Sequence, residues 1–431
     1  MTRSAEAGLL VAAALLAATG VAIIEFTHGN WLDAQVVITL IVFVVAFVGL
    51  HIAVRFWAPG ATSLLLPITA FLTALGFIEI YRIDNSLAAL QRWSLIIAAA
   101  AASALLWLLR SGGVAVLRRY RYVLLAVGVG LLLLPLLPDA LPIHGATVNG
   151  SRLWVRLEIP GIDRVLSFQP GEIAKVFITI FLASYLAERA DAMSIVDRKV
   201  GPFKIPEPRN LGPILLAAGF AFMILIYQRD LGASLLLFGL FVAMLYIATG
   251  RSFYVISGIV LVAIGGVLAY NSFWHVQRRI EAWIDPFGHY QDAGYQTVQA
   301  LFAMGSGSLT GSGLGLGRPD LIPAATTDFI FAAIAEELGL AGSIAIIAGF
   351  ALLVGVGFGI AIRSKDRFRK YLAGGLSVVI ALQAIIILGG VLRLMPVTGI
   401  TLPFMSYGGS SLVANLIIIA LLIRISHEER I

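Results

Sequence analysis

Long runs of apolar residues, each about 20 residues in length, recur along this chain and constrain its fold more than any other feature. One such run is long enough to cross the hydrocarbon core of a bilayer as a single helix. Of the 431 residues, 59% are hydrophobic and only 13% are charged, so the chain has too little polar surface to cover itself in water. The sequence therefore predicts an all-α polytopic membrane protein with one integral membrane domain, 1–431.

The hydropathy pattern predicts about twelve transmembrane helices. The first follows Arg3 and is predicted to be a retained signal anchor, because its apolar run is long and no convincing cleavage site follows it. The predicted spans lie near 7–25, 34–54, 63–81, 93–109, 119–137, 169–187, 211–227, 231–248, 253–270, 328–361, 371–394 and 409–424.

Lys and Arg predict the orientation of these helices, because positive charge close to a span disfavours translocation. With a cytoplasmic N-terminus, 19 of the 30 Lys and Arg residues lie on the cytoplasmic side, although the outer loops are longer. Both termini are therefore predicted to face the cytoplasm. The segments 138–168, 271–327 and 395–408 then lie outside, and long loops in a compact membrane protein are usually functional.

Composition also excludes some kinds of site. The chain has no cysteine, so disulfides, thiolate metal sites and cysteine nucleophiles are excluded. The net charge of +6 is explained by basic cytoplasmic loops, and no nucleic-acid partner is predicted.

The large outer loop 271–327, between the ninth and tenth predicted helices, mixes aromatic, basic and acidic residues. Arg278 and Arg279 suit either bidentate phosphate binding or contact with lipid headgroups. Asp285 precedes Pro286, which fits either a reactive carboxylate or a simple Asx turn.

A glycine-rich run, 305–317, lies in the same loop after Tyr295 and Gln296. It lacks the Gly-Lys-Ser/Thr sequence of a nucleotide-binding loop, so no nucleotide site is predicted. The run fits a flexible linker, but its neighbours favour a partly ordered helix followed by a shaped loop.

Several ionisable residues fall within or beside predicted spans. Asp328, Glu336 and Glu337 open a long apolar helix, where the helix dipole stabilises acids in the first turn. Glu336 and Glu337 lie deeper, and ionisable groups there are costly unless they face a cavity or a partner. Glu172 and Lys175 are three residues apart, which predicts either a mutual ion pair or a site for a substrate headgroup.

Two other segments have sequence patterns that predict a particular local backbone structure. Asp230 precedes an apolar run and fits a helix N-cap. Prolines and glycines interrupt the segment 395–408 where the chain should enter the membrane, so its backbone is predicted to be buried in protein or to line a wet cavity.

Several short motifs in a fixed order resemble the shape, elongation, division and sporulation family of RodA- and FtsW-like peptidoglycan glycosyltransferases. These motifs are Asn149 to Trp154, Phe168 to Lys175, Gln228 to Gly232, Trp283 to Pro286, Gly294 to Gln296, Thr327 to Phe331, Glu336 to Gly339 and Pro396 to Ser411. The run 315–320 and the short C-terminus favour the RodA side of the family.

The resemblance implies a core of ten helices, so residues 1–60 are predicted to form an extra N-terminal helix pair. It also implies a catalytic aspartate in an Asp-Pro pair of the large outer loop, and Asp285-Pro286 is the pair found there. Many relatives have two acids between the Trp and the Gly-Tyr-Gln motif, and the later acid is the catalytic one. The residue of this chain at the same distance from the Trp is His289. Asp285 is therefore the predicted base, with Asp292 as the alternative and His289 as a weaker candidate.

The activity implied by the resemblance is polymerisation of lipid II into glycan strands at the outer face of the bacterial cytoplasmic membrane. Asp285 would take the proton of the acceptor sugar hydroxyl while the donor's pyrophosphate leaves the anomeric carbon. The predicted substrate-binding residues are Arg152, Glu172, Lys175, Arg278, Arg279, Tyr295, Gln296, Asp328, Glu337, Ser406 and Ser410.

Implied partners are lipid II, membrane lipid and a class B penicillin-binding protein, which is a single-span transpeptidase. A divalent cation, Mg²⁺ or Mn²⁺, is a further candidate for stabilising the leaving pyrophosphate, and no organic cofactor is predicted. The sequence does not distinguish elongation from division.

The rival prediction is a transporter or flippase of lipid-linked precursors, because many helices, a broken backbone and buried charges also describe a substrate pathway. The distinctive residues gather on one predicted face, whereas alternating access requires a midplane site with gates on both sides. A purely structural scaffold ranks third, because it needs no outer acids.

Overall fold

A computed structural model of the chain shows a mostly helical protein. The structure describes residues 2–27, 29, 34–138, 141–148, 151–157, 166–194, 198–200, 203–205, 219, 223, 228 and 230–430. The predicted span 211–227, the motif residues 149 and 150, and Arg229 lie outside these described residues, apart from the isolated positions 219 and 223.

Within the described residues, ten helices are long and apolar enough to cross a membrane. In chain order they are α1 (Arg3–Thr27), α2 (Ala34–Trp57), α3 (Leu65–Ile83), α4 (Asn85–Leu108), α7 (Pro170–Ser194), α8 (Leu231–Thr249), α9 (Ser252–Ser272), α12 (Ile330–Arg363), α13 (Arg367–Val391) and α14 (Gly409–Glu428). The predicted span 119–137 appears as a short helix, α5 (Ala115–Arg119), followed by α6 (Arg121–Leu133) and a 3₁₀ turn, Leu134–Leu136. The predicted helical membrane fold is confirmed.

The start of α4 differs from the prediction of residue 93, and the cause is a helix cap. The Oδ1 atom of Asp84 accepts hydrogen bonds from the backbone N–H groups of Ser86 (2.8 Å) and Leu87 (3.2 Å). These bonds satisfy donors that the first helical turn leaves free, so the helix begins about two turns earlier than hydropathy suggested.

The outer loop 271–327 is helical over about half of its length. It contains α10 (Trp274–Ile284), α11 (Tyr295–Gly307) and a 3₁₀ turn, Pro319–Leu321. The predicted ordered helix before the glycine-rich run is therefore confirmed, and the flexible-linker alternative is wrong.

A small sheet in the segment 138–168 is an insertion in this helical fold. It comprises β1 (Ile143–Val148), β2 (Ser151–Leu157) and β3 (Leu166–Phe168), all antiparallel. A second hairpin joins β4 (Arg198–Val200) to β5 (Phe203–Ile205). Both sheets are short enough to be insertions between helices, and hydropathy over span-length windows does not detect them.

The chain divides into two compact units. The first comprises Met1–Arg110, Gly265–Val356 and Gln383–Ile431, and the second comprises Ser111–Ile264 and Gly357–Leu382.

Close helix packing in the first unit depends on small residues. Gly20 of α1 lies against Ile78 of α3, and Gly76 lies against the backbone of Met405. Side chains other than hydrogen would collide at both positions, as at the small-residue contacts of other membrane helices.

Both chain termini lie at one end of the first unit, beside the turn after α2. The Arg3 guanidinium donates to the Ala61 carbonyl at 2.7 Å, and Nδ1 of His427 accepts a hydrogen bond from the Gly60 N–H at 3.0 Å. The two termini therefore share one side of this unit.

In the second unit, α6 packs along α7. Gly128 faces Phe177, and the Gln228 side chain donates to the carbonyl of Leu132 at the end of α6. The Asp230 side chain accepts a hydrogen bond from the Ala233 N–H at 2.8 Å, which confirms the predicted N-cap of α8.

Candidate active site

Asp285 immediately follows the amphipathic helix α10 and is exposed to solvent. Its backbone N–H completes the last helical turn by donating to Glu281 O at 2.9 Å. Its Oδ1 atom accepts a hydrogen bond from the Gly288 N–H, three residues on, at 2.9 Å, so the carboxylate also supports its own turn, as the structural alternative predicted. The structure gives Oδ2 no hydrogen-bond partner among the described residues, so one carboxylate oxygen is available to a ligand.

The two alternatives to Asp285 are already engaged. Asp292 is exposed and forms an ion pair with the Arg278 guanidinium. Nδ1 of His289 lies 2.9 Å from the Asp285 carbonyl oxygen and must donate to it, because a carbonyl only accepts. Asp285 and Asp292 each keep one oxygen without a partner among the described residues, but Asp292 is already paired with a cation whereas Asp285 accepts only from a backbone N–H.

Arg279, on the same helix, faces the last outer loop. It donates to the Thr398 carbonyl at 2.8 Å and to the Val397 carbonyl at 3.3 Å. Asp328 lies beside it, and Gly399 with a φ of 79° lies against both side chains. Burial raises the pKa of the Asp328 carboxyl to about 6, while the positive charge of Arg279 acts in the opposite direction.

The interrupted segment 395–408 is held against the start of α12, as its prolines and glycines predicted. The buried Ser406 hydroxyl accepts a hydrogen bond from the Leu402 N–H at 2.9 Å and donates to the Thr327 carbonyl at 2.7 Å. Its role here is to satisfy backbone groups that leave regular structure. Ser410, partly exposed, stands in the first turn of α14.

Tyr295 and Gln296 begin α11, shortly after the Asp285 turn. The ring of Tyr295 packs against that of Tyr290 with 5.5 Å between centroids. Gln296 is exposed. Both residues therefore belong to the same outer surface as Asp292.

Glu337, by contrast, is enclosed by the glycine-rich run. Its carboxylate accepts hydrogen bonds from the N–H groups of Gly315 at 2.9 Å and Gly317 at 3.2 Å. The Glu337 side chain is buried, and the Arg82 Nε atom lies 3.3 Å from Oε1. We call residues 308–318 the glycine strap.

The glycine strap fills a break in α12. Gly339 has a φ of 64° and ψ of −161°, which interrupts the helical hydrogen bonds. The Ser312 N–H donates to Glu336 O at 2.9 Å, and the Gly313 N–H donates to Glu337 O at 3.1 Å. Carbonyls released by the break are thus satisfied by the strap, which a membrane-embedded backbone requires.

Two ionisable residues of α3 were missed from the sequence. Arg82 pairs with Glu337 and also donates to Gly317 O at 3.2 Å. Glu79, buried one turn earlier, interacts electrostatically with both Glu337 and Arg82. The available signal was an acid within a predicted apolar span, which is rare without a partner.

Three predicted site residues belong to the second unit. Glu172 and Lys175 are buried in α7 and form the predicted ion pair, with 2.6 Å between Oε2 and Nζ. Arg152, on β2, donates to the Leu137 carbonyl at 2.8 Å. These contacts stabilise the helix start and the sheet of this unit.

The described residues contain no group of three or more His, Cys, Asp or Glu side chains arranged to hold a metal ion. A divalent ion bound to pyrophosphate needs only one or two protein carboxylates, because substrate oxygens and water supply its other ligands. The part of the chain that the structure describes thus offers single carboxylates rather than a preformed metal cage.

Comparison with known proteins identifies a matching family and similar relatives. The sequence model of the cell cycle protein family of FtsW, RodA and SpoVE matches residues 63–431. The peptidoglycan glycosyltransferase RodA of Mycobacterium tuberculosis H37Rv is 39% identical, over 99% of this chain and 91% of that protein. The probable peptidoglycan glycosyltransferase FtsW of Geobacter sp. M18 is 36% identical, over 66% of this chain and 74% of its own length.

Solved structures share the fold. A chain from a peptidoglycan synthase complex that coordinates polymerization and crosslinking aligns with a TM-score of 0.66 and 23% identity, covering 86% of this chain and 98% of that chain. An aspartate-to-alanine mutant of the Thermus thermophilus rod shape determining protein RodA aligns with a TM-score of 0.59 and 24% identity, with the same coverage.

Proposed function

This chain belongs to the FtsW, RodA and SpoVE family of cell cycle proteins, and we propose that it polymerises lipid II into glycan strands as a peptidoglycan glycosyltransferase. The observation that carries the proposal is the Asp285 carboxylate, which is exposed after α10 and keeps one oxygen unbonded among the described residues. A general base needs such an available acceptor within reach of the proton that it removes.

In the proposed reaction, the Asp285 carboxylate takes the proton of the acceptor sugar hydroxyl. The hydroxyl oxygen forms a new bond to the anomeric carbon of the donor, and the bond from that carbon to the pyrophosphate breaks. The electron pair and the added negative charge leave with the lipid-linked pyrophosphate. Asp285 then releases its proton to water, so the base is restored.

Cationic side chains are needed where negative charge develops on the pyrophosphate. In the first unit, Arg278 and Arg279 lie on α10 about two helical turns before Asp285, and each now contacts a group that a phosphate would replace. Arg152 and Lys175 of the second unit are further proposed contacts. Mg²⁺ or Mn²⁺ arriving with the pyrophosphate would add positive charge, and its omission from the assay tests this part of the proposal.

The orientation and the partner are also proposals. The start of α1 and the end of α14 both lie beside the turn after α2, which supports a position on the same side of the membrane for both. The excess of Lys and Arg in the other loops supports the cytoplasmic side for those loops and for both termini. The similarity to a chain of a peptidoglycan synthase complex supports a class B penicillin-binding protein as partner.

The transporter alternative depended in part on buried charge at Glu337. The Arg82 contact and the two glycine N–H groups account for that charge without a substrate pathway. This observation favours the glycosyltransferase.

The proposal is tested with purified protein and fluorescent lipid II, with and without divalent cation, and with and without the candidate transpeptidase. We expect polymer from the wild type. Asp285→Asn should reduce the rate by about 10²–10⁴-fold, because the substitution removes the base. Asp292→Asn is the matched control, since it alters an exposed acid in the same turn that is already paired with Arg278.

Loss of polymer in Asp292→Asn alone would move the base to Asp292. Full activity of Asp285→Asn would contradict the assignment of Asp285. Translocation of lipid II in vesicles without any polymer would contradict the glycosyltransferase proposal and favour the transporter.

A further inference from the structure

Arg393 adopts a backbone conformation that usually requires glycine. Its φ is 58°, in the left-handed region, just after the end of α13. The Arg393 N–H donates to Gly390 O at 3.1 Å, and the Leu394 N–H donates to Gly389 O at 2.7 Å. These bonds form a helix C-cap in which glycine is favoured, because a side chain there is strained.

The Arg393 side chain reaches the end of α10. Its Nε donates to Trp283 O at 2.9 Å and its Nη2 donates to Ile284 O at 2.6 Å. In return, the indole Nε1 of Trp283 donates to Arg393 O at 3.0 Å. Three hydrogen bonds therefore join Arg393 to the two residues that directly precede Asp285.

Side-chain burial orders only part of this turn, since Pro286 is buried and the Phe287 ring lies 6.2 Å from that of Phe302, while most of the rest is exposed. Ile284 is 65% exposed and Phe287 is 55% exposed. The carbonyls at the C-terminal end of a helix lack helical donors and carry partial negative charge, so a guanidinium is a suitable partner. The two donors of Arg393 in a fixed planar arrangement hold both carbonyls at once.

We propose that Arg393 is a positioning residue that holds the Asp285 carboxylate in its reactive place by clamping the end of α10. The inference rests on the proposed function of Asp285 as the base. A residue with a strained backbone stands where glycine would fit better, and its side chain bonds the turn that carries the reactive group.

The test uses three variants of the full-length protein. Arg393→Gly removes the clamp and relieves the positive φ, so the C-cap of α13 should be preserved. Arg393→Lys keeps the charge but has no planar pair of donors. Arg318→Gln is the control, because it removes an exposed arginine side chain of the same outer loop that bonds only Asp320.

Steady-state polymerisation of lipid II separates positioning from binding. We expect Arg393→Gly to lower kcat by about 10–100-fold with KM changed less than about twofold, because a misplaced base slows the chemical step. Arg393→Lys should recover part of the lost kcat. Arg318→Gln should resemble the wild type.

A second readout does not depend on activity. The chain has no cysteine, so Gln291→Cys gives a single spin-label site on the exposed Asp285 turn. The label should become more mobile in Arg393→Gly, with an unchanged melting temperature. Wild-type kcat or unchanged label mobility in Arg393→Gly would overturn the proposal.

The two proposals fail in different ways. Absence of polymer from the wild type contradicts the proposed function, and the clamp is then only structural. Polymer from the wild type and equally from Arg393→Gly contradicts the positioning role alone.

Discussion

Asp285 and Glu337 both belong to the first unit, yet their surroundings differ sharply. Asp285 is exposed and accepts one hydrogen bond from a backbone N–H. Glu337 is buried, accepts two hydrogen bonds from glycine N–H groups and contacts a guanidinium. The first carboxylate can accept a proton from a ligand, whereas the second is occupied by the protein.

The difference shows how a role can be assigned to an acid in a membrane protein. The hydrogen-bond donors at each of its carboxylate oxygens must be counted first. Each carboxylate oxygen of Glu337 has a donor, so a substrate would have to displace the glycine strap to reach it. No hydrogen-bond donor among the described residues contacts the Asp285 Oδ2 atom. We therefore assign chemistry to Asp285 and structural support to Glu337, and three predictions test this comparison.

The largest expected effect is on stability. Glu337→Ala should lower the free energy of unfolding by about 3–5 kcal/mol, because Arg82 loses a buried partner. Asp285→Ala, the matched control, should cost less than about 1 kcal/mol, because the turn loses only one exposed cap. Thermal unfolding in detergent compares the two variants, and equal melting temperatures would contradict the assignment.

The helical membrane fold was predictable from the sequence because a span is encoded locally, by about 20 consecutive apolar residues. The caps at Asp84 and Asp230 are also local signals. Resemblance to a family, rather than hydropathy, directed attention to Asp285.

Other parts of the site depend on contacts between distant residues. Gly315 and Gly317 meet Glu337 about twenty positions later, and Arg82 meets it from α3. The break at Gly339 was not predicted, because an apolar run gives no sign that a loop will supply the missing donors. No local pattern encodes such pairings, so the strap was interpreted only as a shaped loop.

The next effect concerns the backbone of the glycine strap. Gly311 has a φ of 85°, and a Cβ atom there would meet the Glu337 carbonyl. Gly311→Ala should therefore lower the free energy of unfolding by about 1–3 kcal/mol.

Gly305→Ala provides the matched control, because Gly305 lies in α11 with open space at its Cβ position. Alanine is the better helix former, so stability should be unchanged or should rise by up to about 1 kcal/mol. Urea or thermal unfolding measures both variants. Equal losses in the two would show that the strap does not depend on its close contact with α12.

The smallest expected effect is a pH dependence of stability at Asp328. This residue is partly buried and faces Arg279, so its surroundings are intermediate between those of Asp285 and Glu337. Burial raises the pKa of its carboxyl to about 6 in the folded protein, above the value of about 3.9 in an unfolded chain. Between these values the folded state binds more protons than the unfolded state. The free energy of unfolding contributed by Asp328 therefore falls as the pH rises from about 4 to 6 and is constant above that range.

Asp328→Asn should remove this slope, which amounts to about 1 kcal/mol or less because water partly screens the group. Melting temperatures measured from pH 4 to 7 test the prediction, and Asp320→Asn, which alters an exposed acid in the outer loop, should keep the wild-type slope. A wild-type slope in Asp328→Asn would place the proton uptake elsewhere. A slope lost only in Asp328→Asn would show that burial shifts the pKa of a carboxyl that is only partly buried and faces a cation, so exposure and acceptor occupancy must be judged separately.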